Sequence, residues 1–273
     1  MPKLLTEAQV EAYHRDGFVP AIPVLTQAET AAARDAIEAW EAHTGKPLGF
    51  PHKSKSYLLF DWADRIAHHP RVLDAVEDLI GPDILLFHAT MWIKEPHSPA
   101  HVLWHQDGPY FFLDPPLHVT AWVAFTDATE EAGCMRMIPG SHRFGALQHV
   151  DKPSEHNMIR RGQGLEGFAD GDGTLVPVPA GCMSLHHTNL VHASASNRAA
   201  HRRMGFGLSY IPTRCRPTGP SVPGALLVRG EDRFNHFVRE QRLDREGSNL
   251  SRRLHAEACA RFDALQHAGF KAA

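Results

Sequence analysis

Cysteine is scarce and unpatterned in this chain. The four residues, Cys134, Cys182, Cys215 and Cys259, lie far apart with no Cys-x-x-Cys among them. That excludes a zinc knuckle and a thioredoxin-like centre and fits reduced thiols in the cytoplasm. Long apolar runs are missing: nothing approaches the roughly 20 residues that a membrane-spanning helix needs. Met1-Pro2-Lys3-Leu4-Leu5-Thr6-Glu7 lacks the hydrophobic region of a signal peptide. An excess of either charge is missing too. Lys plus Arg number 28 and Asp plus Glu 31, a formal charge of −3, so neither nucleic acid nor a membrane surface is an expected partner. Internal repeats and low-complexity tracts are absent. The expectation is a cytoplasmic protein that acts on a small molecule; nothing in the sequence sets an oligomeric state.

Strand-like runs follow one another from about residue 84 to residue 211 without a linker, so the 273 residues suit one domain spanning 1–273. N-terminal helices are predicted within about 5–80. Thr6 caps the first, over Thr6 to Arg15; Thr26-Gln27-Ala28-Glu29 is a capping box for the second; the third runs from Pro70 to Leu79 and stops at Gly81-Pro82. About eight short strands over 84–212 come next, and a helical tail is predicted over about 232–273. Helices followed by short strands with turn signals indicate an all-β core with flanking helices, a jelly roll or two-sheet barrel whose mouth holds a ligand.

Histidine is what the chain has in abundance: 20 residues, beside 16 aspartates. Placed at random they would give on the order of one His-x-Asp, so the pattern alone means little. Two copies occur. His149-Val150-Asp151 follows a turn-rich stretch and reads as an exposed loop. Trp104-His105-Gln106-Asp107 lies between two apolar strand-like runs, Ile84 to Ile93 and His118 to Phe125. On a strand, residues i and i+2 point the same way, so His105 and Asp107 can enter one cavity. With His192 on a later strand they make two imidazoles and a carboxylate, a set that occupies one face of iron(II) and leaves the other face open. Arg203, at the start of the last long strand, is the candidate to grip a cosubstrate carboxylate through paired hydrogen bonds. Ser194, in phase with His192, can add a hydroxyl.

The ordered set Trp104-His105-Gln106-Asp107, Ala121-Trp122, Gly133-Cys134, Pro139-Gly140-Ser141-His142, His192 to Asn197 and Arg203 resembles the phytanoyl-CoA dioxygenase family, over roughly residues 5 to 217. The resemblance implies a double-stranded β-helix (cupin-like jelly roll) and a hydroxylase that uses Fe(II), 2-oxoglutarate and dioxygen. It implies His105, Asp107 and His192 as metal ligands, Arg203 as the clamp on the distal carboxylate, and Ser194, Gln106, Trp122 and Met91 along the cosubstrate pocket. Ala193 stands where the family has glycine and Ser196 where it often has proline. Relatives that halogenate have a small residue at the position of Asp107; its presence favours hydroxylation or a related oxidation. Tracts such as Ser184-Leu185-His186-His187 resemble a bacterial branch that includes aminoethylphosphonate hydroxylases and tailoring oxygenases of secondary metabolism.

Substrate contacts are sought outside the clamp. Tyr110 and Phe111 follow Asp107 directly, and Asn157, Arg161 and Gln163 lie in a polar insertion over about 147–173 that has the length of a lid. Lys53 and Lys55 are further cationic candidates, against the reading of solvated surface. His186 and His187 read as hydrogen-bonded structural histidines, with a place behind a ligand or against substrate as the alternatives; His187 is kept among the substrate candidates. A zinc hydrolase would need a general base near its water, and no carboxylate beside Asp107 suggests one. A silent binding module is disfavoured by the intact set with Arg203.

Overall fold

The structure, a computed structural model, describes residues 1–159 and 162–269. Helices α1 (Glu7–Asp16), α2 (Gln27–Thr44), α3 (Asp61–Ala67) and α4 (Pro70–Ile80) precede most of the strands, α5 (Gly108–Phe111) is a single turn among them, and α6 (Asn249–Gly269) follows them. α1 and α2 begin as the sequence indicates. Thr6 and Thr26 each accept from the backbone N–H three residues on, while Gln9 and Glu29 reach back, and Gly17 and Gly45 end the helices in the left-handed region. α4 buries Val72, Leu73, Ala75, Val76 and Ile80 on one stripe. α3 was not anticipated: Phe60 at its start offers no capping side chain, so no start signal exists.

The strands are β1 (Phe18–Pro23), β2 (Ile84–Lys94), β3 (Val102–His105), β4 (Leu113–Asp114), β5 (Val119–Ala124), β6 (Met135–Met137), β7 (Val150–Asp151), β8 (Gln163–Gly164), β9 (Thr174–Val176), β10 (Cys182–His187), β11 (His192–Ser194), β12 (Arg203–Pro212), β13 (Arg216–Pro217), β14 (Gly224–Arg229) and β15 (Val238–Arg239). They form a large sheet in the order β1-β10-β5-β12-β2-β14-β15 and a smaller one in the order β3-β11-β6-β9. β4 with β13 and β7 with β8 are two-stranded ribbons. The result is a jelly roll with helices on the outer face of the large sheet.

The large sheet is covered on both faces, which explains why β5 and β12 are buried at every residue. One apolar cluster joins the sheet to the helices through Tyr57, Trp62, Val76 and Phe206. Another lies between the sheets, with Trp122, Met135, Met137, Val176 and Leu190. β12 is the spine of the fold. It pairs antiparallel with β2 from Arg203↔Lys94 to Pro212↔Ile84 and with β5 on its other edge.

The tail departs from the expected long helix. β15 and irregular chain occupy the region before Asn249, and only α6 is helical. β14 lies in a stretch for which the sequence suggested no strand. No helix among the described residues is long and apolar enough to cross a membrane.

Candidate metal and carboxylate site

β3 ends at His105 and β11 begins at His192, and the two residues face each other across that antiparallel pair. Their rings are 4.1 Å apart. Asp107 lies two residues past His105, at the N-cap of α5. One donor atom from each of the three lies within 4.8 Å of the others; Asp107 Oδ1 is 3.6 Å from His105 Nε2 and 4.0 Å from His192 Nε2. Both imidazoles are held from behind. His105 Nδ1 is 2.8 Å from the Leu103 carbonyl and His192 Nδ1 is 2.9 Å from the Leu190 carbonyl. A carbonyl can only accept, so each Nδ1 carries a hydrogen, and each Nε2 is the ring nitrogen turned to the cluster.

The other oxygen of Asp107 is anchored by a chain of side chains. Thr120 Oγ1 donates to Asp107 Oδ2 at 2.9 Å, His118 Nε2 lies 2.9 Å from Thr120 Oγ1, and His118 Nδ1 lies 2.9 Å from Thr188 Oγ1. Because the threonine hydrogen goes to the carboxylate, His118 Nε2 must donate. Burial pushes the His118 imidazole down to about 3, and in the resulting neutral ring Nδ1 accepts from Thr188. Burial also drives His192 well below the usual histidine range, with His105 and His186 adding to the effect. Burial alone would raise Asp107, but the imidazoles of His105 and His186 and the field of His192 outweigh it and hold the carboxyl well below its usual range. A neutral His192 imidazole beside an ionised Asp107 carboxylate is the pairing of protonation states a divalent cation needs of such ligands. The donor set therefore fits such an ion.

Arg203, the first residue of β12, is 2% exposed. Its guanidinium carbon sits 4.6 Å from the centroid of the Trp122 ring. Its Nε has no hydrogen-bond partner, and no carboxylate lies within ion-pair distance among the described residues. Burial lowers it to about 10, so it stays charged at neutral pH. A buried, unpaired guanidinium is costly to keep and calls for an anion supplied from outside. His105, Asp107, His192, Ser194, Trp122 and Arg203 all line one cavity.

The cavity thus joins three metal-type donors to an unpartnered cation, and residues 13–205 match the Phytanoyl-CoA dioxygenase (PhyH) family. The chain belongs to the phytanoyl-CoA dioxygenase family. Among solved structures it is similar to a non-haem monooxygenase, ThoJ in its apo form, at 32% identity and a TM-score of 0.86, covering 97% of this chain and 100% of that one. It is 28% identical over 163 residues to a probable alpha-ketoglutarate-dependent hypophosphite dioxygenase of Stutzerimonas stutzeri, 59% of this chain and 57% of that protein. It is 23% identical over 253 residues to L-proline trans-4-hydroxylase of Streptomyces griseoviridis, 82% of this chain and 93% of that protein. The match to the hypophosphite relative spans little more than half of that protein's length.

Within this phytanoyl-CoA dioxygenase fold, several sequence-predicted residues fall elsewhere. Gln106 is fully buried but outside the cavity lining. Its amide donates to the carbonyls of Gly145 and Asn189 and accepts from the Leu147 N–H. It ties loops together because it points opposite to its neighbours His105 and Asp107. Met91 packs in the main core, and Trp92, one residue on and on the other face of β2, lines the cavity instead. Phe111 packs edge-on to Phe87 and His118. Tyr110 packs beside that cluster with its ring 5.4 Å from His149. Asn157 accepts from the Ile159 N–H and Gln163 donates to Asp151; neither lines the cavity. Arg161 lies outside the described residues. His149 is not on a free loop: its Nε2 accepts the Gln106 backbone N–H at 3.0 Å, and Val150–Asp151 pairs with Gln163–Gly164. Lys55 is neither solvated nor at the site. It is buried against Glu240 Oε1 at 2.7 Å.

The two adjacent histidines separate cleanly. His187 Nδ1 accepts from the Asn189 N–H and its ring packs near His142, away from the cavity. His186 lines the cavity with Nε2 3.4 Å from Asp107 Oδ2, and neither ring nitrogen has a hydrogen-bond partner among the described residues. The strand phase of β10 distinguishes them, and the sequence alone does not give that phase. Met135 also lines the cavity.

Gly205 carries a packing requirement that the sequence did not reveal. A Cβ there would lie 1.8 Å from Trp122 Cζ2, so the indole can lie across β12 beside Arg203 only because position 205 has no side chain. Gly205→Ala is expected to destabilise the fold by about 1–3 kcal/mol through overpacking. It should also push Trp122 off the guanidinium, read as a lower Tm, a shifted tryptophan emission and a raised KM for 2-oxoglutarate. An unchanged emission spectrum and KM would contradict the role given to this contact.

Proposed function

We propose that this chain is an Fe(II)- and 2-oxoglutarate-dependent oxygenase that hydroxylates an unactivated C–H bond of a small molecule. The observation that carries the reading is the unpaired, buried Arg203 sharing a cavity with His105, Asp107 and His192. A zinc hydrolase would need a base beside its water, and no carboxylate besides Asp107 lines the cavity among the described residues.

His105, Asp107 and His192 would hold the metal. Arg203 takes the distal carboxylate of 2-oxoglutarate through paired charge-assisted hydrogen bonds, with Trp122 against the guanidinium face and Ser194 supplying a hydroxyl. When bound, iron(II) and 2-oxoglutarate supply the redox chemistry: the oxo acid is decarboxylated to succinate, and one atom of dioxygen becomes the new hydroxyl group. The protein's own part is to fix the donors, through the Leu103 and Leu190 carbonyls and the Thr120–His118–Thr188 chain. It also shields the site from bulk water with Trp92, Trp122 and Met135.

The substrate is proposed to be a small polar molecule, with a small aminoalkylphosphonate as the specific candidate. The hypophosphite relative supports a phosphorus substrate. Arg203 is the only Lys or Arg side chain in the cavity lining among the described residues and is assigned to 2-oxoglutarate, so a phosphonate would draw its cationic contacts from outside that lining. Adding Fe(II) and 2-oxoglutarate without oxygen should give the weak visible charge-transfer band of the chelate; a colourless sample would refute the oxygenase reading. Succinate release stimulated by phosphonates, amino acids or polyketide-like alcohols then identifies the substrate class. Stimulation by the latter two alone would eliminate the phosphonate.

A further inference from the structure

Lys94 is the last residue of β2 and is fully buried. No carboxylate lies within ion-pair distance of its ammonium among the described residues. Its Nζ donates to Ser194 Oγ at 2.8 Å, to the Ser194 carbonyl at 3.4 Å and, by a short contact, to the Ala195 carbonyl. It stands directly opposite Arg203 in the β2–β12 register. Asn197 ties the Lys94 carbonyl to the same loop. A lysine spent on one hydroxyl and two carbonyls at the back of an anion cavity is poorly explained by packing alone, because an apolar side chain would fill the space without the desolvation cost.

We propose that Lys94 is a positioning residue for the distal carboxylate of 2-oxoglutarate: by donating to Ser194 Oγ it turns the Ser194 hydroxyl hydrogen into the cavity, and it places a second cationic side chain behind Arg203. The hydrogen geometry follows from the inventory of a hydroxyl, which has one hydrogen and accepts on its remaining lone pairs. Once Lys94 occupies a lone pair of Ser194, the hydroxyl hydrogen is directed elsewhere, and Ser194 lines the cavity. The inference rests on the 2-oxoglutarate reading given above.

Charge supports the geometry. Burial, followed by the charge of Arg203, lowers the Lys94 ammonium to about 6, with Cys134 acting weakly in the other direction. Ser194, Ala195 and Asn197, the remaining polar groups that reach it, do not titrate. The cavity without an anion therefore disfavours the ammonium form, the form that can only donate to Ser194. A carboxylate arriving beside Arg203 offsets that repulsion and draws a proton onto Lys94.

The test is calorimetric, on the Mn(II)-loaded full chain without oxygen. The probes are 2-oxoglutarate and 2-oxopentanoate, which has the same chain length and a methyl group in place of the distal carboxylate. Lys94→Met is expected to weaken 2-oxoglutarate roughly tenfold to a hundredfold, the range of one or two charge-assisted hydrogen bonds, and to leave 2-oxopentanoate within about twofold. Lys94→Gln, which keeps a donor for Ser194, should recover part of the loss. Equal weakening of both probes, or no weakening, overturns the proposal. Should neither variant fold, the wild type decides: repeated in buffers of different ionisation enthalpy at pH 7.5, it should take up more protons with 2-oxoglutarate than with 2-oxopentanoate. Equal uptake overturns the proposal. Failure of the wild type to bind 2-oxoglutarate at all would instead refute the oxygenase reading, and the two failures are told apart in the same titration.

Discussion

Arg203→Met raises the dissociation constant for 2-oxoglutarate by about two to three orders of magnitude. Two charge-assisted hydrogen bonds are worth roughly 3–4 kcal/mol together, and each 1.4 kcal/mol is a factor of ten. The same substitution acts in the opposite direction on the protein without cosubstrate. It replaces a 2% exposed, unpaired guanidinium with an apolar chain of similar length, and buried charges replaced in this way often leave a fold equally or more stable. The variant should therefore melt no lower than the wild type when both are free of 2-oxoglutarate, and should lose the upward shift in Tm that 2-oxoglutarate gives the wild type. Calorimetry and thermal melts check both halves. A variant that binds 2-oxoglutarate normally removes Arg203 from the site. One that melts far lower shows that the guanidinium has an internal partner after all.

His192→Ala reduces succinate production to background and releases the metal. Loss of an outer hydrogen-bond partner typically costs roughly 10–100-fold in metal affinity, and loss of a donor from a set of three costs more. His192 also packs against the His105 ring at 4.1 Å, so the deletion frees His105 as well. Metal content after desalting and succinate formation should fall together. A variant that retains iron in stoichiometric amounts would require another donor, and His186 is the side chain nearest to hand.

How much of this was legible in the sequence depends on the distance over which each signal acts. Thr6 and Thr26 announce helices because their hydrogen bonds close within three residues. Strand alternation suggests a shared direction for His105 and Asp107, but only His105 is on β3, and Asp107 reaches the same cavity from the N-cap of α5. Phase is harder. Gln106 and Met91 sit in the right tracts and on the wrong faces, and the choice between His186 and His187 turns on one residue of register in β10. Aromatic runs mislead for a related reason: Phe111 fills the cluster around Phe87 because apolar rings serve cores as readily as pockets. Lys94, Thr120 and Gly205 act through pairing between strands remote in the chain, and no local pattern encodes that. Lys55 reads as a surface cation because its partner, Glu240, lies far along the chain.

The meeting of His105 and His192 across β3 and β11 has a dynamic consequence. An ion held by both imidazoles staples two strands of the smaller sheet, and that sheet has only four. Breathing of the pair and escape of the ion then become a single event. Metal exchange should be as slow as amide hydrogen exchange at those strands, and chelation should loosen that edge of the jelly roll while leaving β2 and β12 closed.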